Sequence, residues 1–446
     1  MNRKLFGTDG VRGVAGEFLT AELALALAQA AARQTAAARP QVLVVRDTRE
    51  SGEMLQAAVA AGVSAAGGDA LLGGVLPTPA APLLLKRYGF DLAAVLSASH
   101  NAYQDNGIKF FAGDGYKLSD EAELQIEREL EQHDRAPLGG PDGSFAIGRV
   151  RELRGASEDY LRELHTRFSE LDLAGLDVLL DCANGATFHV APEIFRRLGA
   201  KVAVIADAPD GRNINAGCGS THIDVLAERV LAGGHDVGFA FDGDGDRVLA
   251  VDRQGQVVDG DELMALAALQ LRDSGRLTGD GVVVTVMTNY GFHAAMERAG
   301  VAVATTNVGD RYVLEELRAR GWVLGGEQSG HLIDMSFNRT GDGVAGALLT
   351  LESLAGRDLS ERDAMVKLPQ RLVNVRVRDR DALEGAREVR QAISAAHDAL
   401  KGRGRVLVRP SGTEPLVRVM VEAPTDQEAE EVCARLVELV GRELGQ

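Results

Sequence analysis

The chain has 446 residues, an ordinary apolar fraction of 45% and a formal net charge of −17. That length exceeds what one hydrophobic core supports, so several domains are expected, and so acidic a surface argues against nucleic acid or an anionic membrane as partner. Three cysteines without paired spacing argue against a disulfide framework or a zinc site, the start MNRKLFGTDG lacks the apolar stretch of a secretory signal, and no apolar run is long enough to span a membrane, so a reducing cytoplasm is the expected setting.

Apolar runs of strand length alternate with segments of helical period. Thr20 caps a predicted helix over 20–36, followed by a strand at 42–45, a helix at 52–66, a strand at 69–75, a helix at 79–88 and a strand at 93–97. A charged stretch bearing Pro and Gly, roughly 131–158, reads as a joint between domains. A second unit follows, with strands at 177–181, 201–205 and 236–241 and helices at 189–199 and 222–233. The pattern restarts with strands at 282–287, 301–306 and 322–326 and helices at 291–299 and 310–320. This alternation predicts an α/β class with parallel sheets and crossover helices. The last part differs. Strands at 372–377, 405–409 and 416–421 with helices near 382–398 and 426–442 make a small α+β unit. Its last two strands, joined by the turn PSGTEP, are expected to be antiparallel.

Each of the three α/β units ends a buried strand in a polar loop: SASHN, DGDGDR and EQSGH. Open α/β sheets place ligands outside the carboxyl ends of their strands. In the second loop Asp242, Asp244 and Asp246 alternate with Gly243 and Gly245 and precede Arg247. Side chains two apart on an extended strand sit about 7 Å from each other, whereas Mg²⁺ takes oxygens at about 2.0–2.1 Å. The chain must therefore curl to bring the three carboxylates onto one ion, and the glycines permit it. A hard oxygen site of this kind suits Mg²⁺ and a phosphate oxygen. A lone Asp-Gly pair is usually an exposed acidic turn; three in alternation after a buried strand are less readily so explained. A phosphatase with Asp242 or Asp244 as nucleophile remains an alternative.

Ser99, followed by His100 and Asn101, puts a hydroxyl at a strand's carboxyl end, where it can attack or carry a phosphoryl group. Taken alone, such residues more often cap a turn, and a single histidine is more often structural. Lys109 lies in the apolar run NGIKFF, where an ammonium needs an anionic partner or must snorkel to water. The loop GTDGVRG can bring the donor fork of Arg12 to a phosphate. Glu327 and Ser329 can accept from and donate to sugar hydroxyls. Arg409, Ser411, Gly412, Thr413 and Arg418 make a phosphate cradle, or else an ordinary hairpin turn with flanking charge.

The segments FGTDGVRG, SASHN, NGIKFF, DCANGA, FDGDGDR, VGDRYV, GEQSGH and RPSGTEPLVRVMVE run end to end in this order. In them the chain resembles the α-D-phosphohexomutase superfamily. The resemblance implies three α/β domains of similar topology and a C-terminal α+β, TBP-like domain around a central cleft, divided at 1–155, 156–255, 256–369 and 370–446. It implies that Ser99 is the phosphoserine and that Mg²⁺ is held by Asp242, Asp244, Asp246 and an oxygen of the Ser99 phosphate. Arg12 and Lys109 would lie by the transferring group and assist proton movement, with His100 beside Ser99; a guanidinium stays protonated, so Arg12 is not the base, and Lys109 serves as one only if the metal and Arg12 lower its pKa. Arg247, Glu327 and Ser329 would hold the sugar, and Arg409, Ser411, Gly412, Thr413 and Arg418 the phosphate that is not reacting.

The wording of VGDRY and GEQSGH, and Asp310 where phosphomannomutase and phosphoglucomutase relatives often carry His, favour the glucosamine branch. Ala102 stands where the superfamily usually has Pro. The expected reaction interconverts glucosamine 6-phosphate and glucosamine 1-phosphate through a 1,6-bisphosphate, supplying UDP-N-acetylglucosamine and cell-wall synthesis. The alternatives are a phosphoglucomutase or phosphomannomutase, the Asp-dependent phosphatase, and a silent phosphosugar-binding protein. Gln328 and Asp310 are the candidates for reading the 2-amino group. A kinase, the enzyme itself or a bisphosphate stays open as the first source of phosphoryl groups, and a homodimer as the assembly.

Overall fold

The computed structural model describes residues 4–7, 9–131, 147–411 and 414–445. Two compact units emerge, Met1–Val286 with Ala304–Arg362, and Met287–Val303 with Asp363–Gln446.

The larger unit holds three sheets. The first has six strands in the order Val11–Val14, Asp105–Ala112, Leu92–Leu96, Gln41–Arg46, Asp69–Val75, Val150–Glu152. Its helices Ala21–Arg33 and Ser51–Ala65 pack closely because the sequence there is Ala- and Gly-rich: a Cβ on Gly62 would lie 2.2 Å from the Leu25 carbonyl oxygen. Thr20 caps the first of them by accepting from Leu23 N, as its position predicts. The second sheet runs Val257–Val258, Val248–Asp252, Val237–Phe241, Asp177–Asp181, Lys201–Ile205. The third runs Ala302–Thr306, Gly281–Thr285, Leu324–Gly326, Leu332–Asp334.

These sheets are mixed, a correction to the expectation of parallel ones. Asp105–Ala112 is antiparallel to both Val11–Val14 and Leu92–Leu96, Val237–Phe241 is antiparallel to Val248–Asp252, and Leu324–Gly326 to Leu332–Asp334. A strand buried on both faces reads as one apolar run whichever way its neighbour points. The consequence concerns function. All three polar loops join antiparallel neighbours, so each is a hairpin-type connection and not the start of a crossover helix. The predicted joint also divides differently. Helix Asp120–Glu131 enters it, 132–146 lie outside the described residues, and Val150–Glu152 is the sixth strand of the first sheet, parallel to Asp69–Val75. Helices Gly260–Asp273 and Gly343–Leu354, capped by Asp259 and Asp342, add to the predicted elements.

The smaller unit is a three-stranded antiparallel sheet in the order Gln370–Arg376, Leu416–Glu422, Arg405–Pro410, and includes helices Tyr290–Ala299, Arg387–Leu400 and Asp426–Leu444. Valines from all three strands and from the helices Arg387–Leu400 and Asp426–Leu444, among them Val375, Val406, Val419, Val389 and Val440, form its core. Among the described residues no helix is long and apolar enough to cross a membrane. Cys182, Cys218 and Cys433 are buried free thiols.

Glu422 is fully buried in this unit and accepts from Arg405 Nε at 2.8 Å and from Tyr290 N at 2.8 Å. Arg405→Ala leaves that carboxylate without its countercharge, and denaturant unfolding should register a loss of about 3 kcal/mol or more. His293 has its pKa lowered to about 4 by burial and by the charge of Arg405. Between its free value, about 6.5, and 4 the unfolded chain takes up a proton that the folded unit refuses, so stability falls as pH drops through that window and is untouched above it. His293→Gln should flatten this part of a plot of melting temperature against pH.

Candidate active site

Phe241 ends a fully buried strand, and Asp242–Arg247 form the turn that returns to Val248. Gly245 takes φ +71°, and its N–H donates to the Asp242 carbonyl at 3.1 Å. The turn curls as the spacing requires: Asp242, Asp244 and Asp246 are all buried and offer one oxygen each, all within 4.8 Å of one another. Gly243 is required by contact. A Cβ there would lie 2.6 Å from the Ser99 carbonyl oxygen, so only glycine lets this turn meet the serine loop.

Ser99 lies in that loop at φ +53°, in the left-handed region. Its Oγ donates to Asp242 Oδ2, and its N–H donates to Ser97 Oγ at 2.9 Å. His100 Nδ1 is 3.4 Å from Ser99 Oγ. Burial, then the charges of Arg247 and Arg12, lower the pKa of that imidazole.

Burial, with the neighbouring Asp246 and Asp244, pushes Asp242 well above the usual carboxylate range. Asp244 goes the other way. Burial opposes its charge, but Lys109 Nζ at 2.9 Å and Thr78 Oγ1 at 2.7 Å from Oδ2 hold it low. Lys109 is 1% exposed and also lies 2.9 Å from Asp9 and 3.8 Å from Asp246. Burial alone would lower the lysine; the three carboxylates outweigh it and raise its pKa. The repulsion from Arg12 also lowers it but is the weaker effect.

Asp9 is a hub that the sequence did not single out. It pairs with Arg12, with Lys109, and with Lys117 at 2.5 Å. Lys117 also meets Asp310 at 2.5 Å, so Asp310 is already engaged by a cation. The third loop reaches the same place. Val248 N donates to the Gly330 carbonyl at 3.0 Å, and a Cβ on Gly330 would lie 2.1 Å from Val248 O. His331 brings Nδ1 to 3.6 Å from Asp246 Oδ1 while its Nε2 accepts from Gly341 N at 3.1 Å. Glu327 is buried and accepts from Gly309 N at 2.9 Å; Ser329 is exposed; Gln328 donates to Asp259 Oδ2 at 3.1 Å. Arg247 N donates to Asp242 Oδ1 at 3.2 Å, and its Nε stands 3.9 Å from Asp246.

The larger unit thus brings together Ser99, His100, Arg12, Lys109, the three aspartates and Arg247, with Glu327 close enough to act on the charge of Arg247. In the smaller unit Arg409 and Arg418 stand directly opposite across the two strands. Burial and Arg418 lower the pKa of Arg409, and Arg418 Nε is buried without a hydrogen bond. Like charges opposed on a sheet are unfavourable, and an anion would relieve them. Ser411 N donates to Leu416 O at 2.8 Å; Gly412 and Thr413 lie outside the described residues.

The aspartate turn fits a divalent cation on its own features. Its donors are hard carboxylate oxygens, and Asp244 Oδ1 and Asp246 Oδ1 are buried without a hydrogen-bond partner. The group could hold a metal ion.

Comparison with known sequences places all four domain profiles of one family on the chain. They are phosphoglucomutase/phosphomannomutase alpha/beta/alpha domain I at 3–136, domain II at 158–255, domain III at 259–372, and the C-terminal domain at 372–439. The chain belongs to the phosphoglucomutase/phosphomannomutase family. One relative within the family, from Moorella thermoacetica, is named phosphoglucosamine mutase; it is 52% identical over 439 residues, covering 97% of this chain and 98% of its own. A family protein from Burkholderia thailandensis shares the fold, with TM-score 0.80 at 22% identity over 98% of this chain and 97% of its own. So does an Aspergillus fumigatus N-acetylphosphoglucosamine mutase in complex with GlcNAc-6P and magnesium, with TM-score 0.66 at 19% identity over 98% of this chain and 96% of its own.

A cation that binds the folded chain and not the unfolded one raises the melting temperature by mass action. Mg²⁺ titrated into the protein should raise it, and Asp244→Asn should abolish the rise while leaving the metal-free protein folded.

Proposed function

We propose that the chain is a phosphoglucosamine mutase, interconverting glucosamine 6-phosphate and glucosamine 1-phosphate. What carries this is a serine hydroxyl turned into a buried triad of carboxylates, in a chain whose relatives at about half identity bear that name. Ser99 is the phosphoryl carrier, and the domains divide as 1–155, 156–255, 256–369 and 370–446.

The phosphoryl group leaves Ser99 Oγ for the free hydroxyl of the sugar monophosphate. The P–Oγ bond breaks, a P–O bond to the sugar forms, and the proton of the sugar hydroxyl ends on Ser99 Oγ, which becomes a neutral hydroxyl again. The resulting 1,6-bisphosphate turns over, and its other phosphoryl group returns to Ser99 by the same exchange in reverse. Lys109 and Arg12 donate hydrogen bonds to the transferring oxygens, the largest lever in a reaction where charge spreads over them. His100 flanks the serine. Arg247, Glu327 and Ser329 orient the sugar, while Arg409, Ser411, Gly412, Thr413 and Arg418 take the phosphate that is not reacting. Asp242, Asp244 and Asp246 would hold Mg²⁺, which when bound neutralises charge on the phosphate oxygens. The absence of a long apolar helix among the described residues, and three free thiols, support a cytoplasmic setting.

The test is kcat/KM for glucosamine 6-phosphate against glucose 6-phosphate, with Mg²⁺ and the matching bisphosphate as primer. The glucosamine substrate should be preferred, and Ser99→Ala should lose at least about 1,000-fold in kcat, the scale of removing a covalent carrier. A preference for glucose or mannose phosphates keeps the chemistry and changes the branch. Full hydrolytic activity in Ser99→Ala would instead assign the nucleophile to an aspartate.

A further inference from the structure

The left-handed backbone of Ser99 raises a physical question. A residue with a Cβ at φ +53° stores about 1 kcal/mol or more, and such strain persists only where the surroundings enforce it. Glycine would relieve it, but glycine carries no hydroxyl. Two side chains far apart in sequence meet the carbonyl groups on either side of His100. Arg49, fully buried, donates from Nη2 to Ser99 O at 3.1 Å and to Asn101 O at 2.6 Å. Asn215, 7% exposed, donates from Nδ2 to the same two oxygens at 3.0 and 3.1 Å.

We infer that Arg49 and Asn215 form a clamp on the Ser99 and Asn101 carbonyls that fixes the left-handed turn and so aims the Ser99 hydroxyl at Asp242. Both are positioning residues, and the inference rests on Ser99 being the phosphoryl carrier.

The clamp is itself held on both sides. The other arm of the Arg49 fork pairs with Asp47, which also accepts from Arg49 N at 2.9 Å and from Ser97 Oγ at 2.5 Å. Ser97 Oγ in turn accepts from Ser99 N at 2.9 Å, closing a circuit around the serine. Asn215 follows the second sheet's strand Lys201–Ile205, and its own N–H donates to Ala183 O at 2.9 Å. Its amide can point only one way, since the swapped orientation sets an oxygen against two carbonyl oxygens. Asn215 thereby ties the serine loop of the first sheet to the sheet that carries the aspartate turn. Gly243 lies against the same Ser99 carbonyl, whose oxygen would be 2.6 Å from a Cβ at that position. Lysine cannot replace Arg49, because one ammonium cannot reproduce the planar fork that serves Asp47 and two carbonyls together.

The experiment compares Asn215→Ala, Asn215→Asp and Arg49→Lys with wild type. It measures kcat and KM for the sugar phosphate, melting temperature, and the rate at which a 1,6-bisphosphate phosphorylates Ser99, read by intact-protein mass. Asn215→Ala should lower kcat by about 100-fold, the order expected for a displacement of about 1 Å, with KM within about twofold. Asn215→Asp keeps the shape and loses both donors, so kcat and phosphorylation should fall further still. If Asn215 merely fills space the order reverses, with Asp near wild type and Ala worst, and that result overturns the clamp. Wild-type kcat in both Asn215 variants, or in a folded Arg49→Lys protein, overturns it too. A wild-type chain that neither accepts a phosphoryl group on Ser99 nor turns over a sugar phosphate defeats the functional proposal itself, an outcome distinct from failure of the clamp.

Discussion

Three aspartates with almost no access to water set the terms for everything around them. Carboxylates at such close quarters repel strongly where solvent screens little, and each charge must be met by a proton, a cation or a hydrogen bond. The chain meets them unequally. Lys109 and Thr78 secure Asp244, Ser99 donates to Asp242, and His331 approaches Asp246. Two carboxylate oxygens, Asp244 Oδ1 and Asp246 Oδ1, stay without a hydrogen bond, a residual demand that a divalent cation could answer. Lys109 is affordable in the core only because Asp9 and Asp244 flank it, and Asp9 is held in turn by Arg12 and Lys117.

The fold delivers this concentration of charge through three connections of one kind. Each joins antiparallel neighbours, so each loop is short and firmly rooted in two buried strands. The loops lie against one another at glycines. Gly243 abuts the Ser99 carbonyl, and Gly330 abuts the backbone of Val248. Side chains at these positions would prise the loops apart before any catalytic group was changed. The backbone of Asp244 is fastened further by Thr78 N, which donates to its carbonyl at 2.8 Å.

Much of this was legible in the sequence where chemistry and geometry share one short segment. DGDGDR displays its three carboxylates and the glycines that let them converge, and SASHN displays its hydroxyl at a strand end. Strand direction was not legible, because Asp105–Ala112 and Val248–Asp252 are apolar runs that look alike in parallel and antiparallel sheets. The helix Gly260–Asp273 did carry a signal, the capping box of Asp259 and Glu262. Arg49, Asn215 and Asp9 had no such signature. They sit in short polar loops, and what they do follows from partners about 50 to 116 residues distant, which no local pattern reveals. His331 closes a segment already recognised, yet its approach to Asp246 is a contact between two sheets.

Joint occupancy of one site by the Ser99 phosphate and a divalent cation is the central claim, and ³¹P NMR of the phosphorylated protein tests it most directly. With Mg²⁺ the phosphoserine should give a single resonance that is lost in Ser99→Ala. Replacing Mg²⁺ with paramagnetic Mn²⁺ should broaden that resonance beyond detection, and Asp244→Asn should restore it. A phosphoserine signal that stays sharp in saturating Mn²⁺ would contradict the claim, because the ion and the phosphate would then occupy separate places.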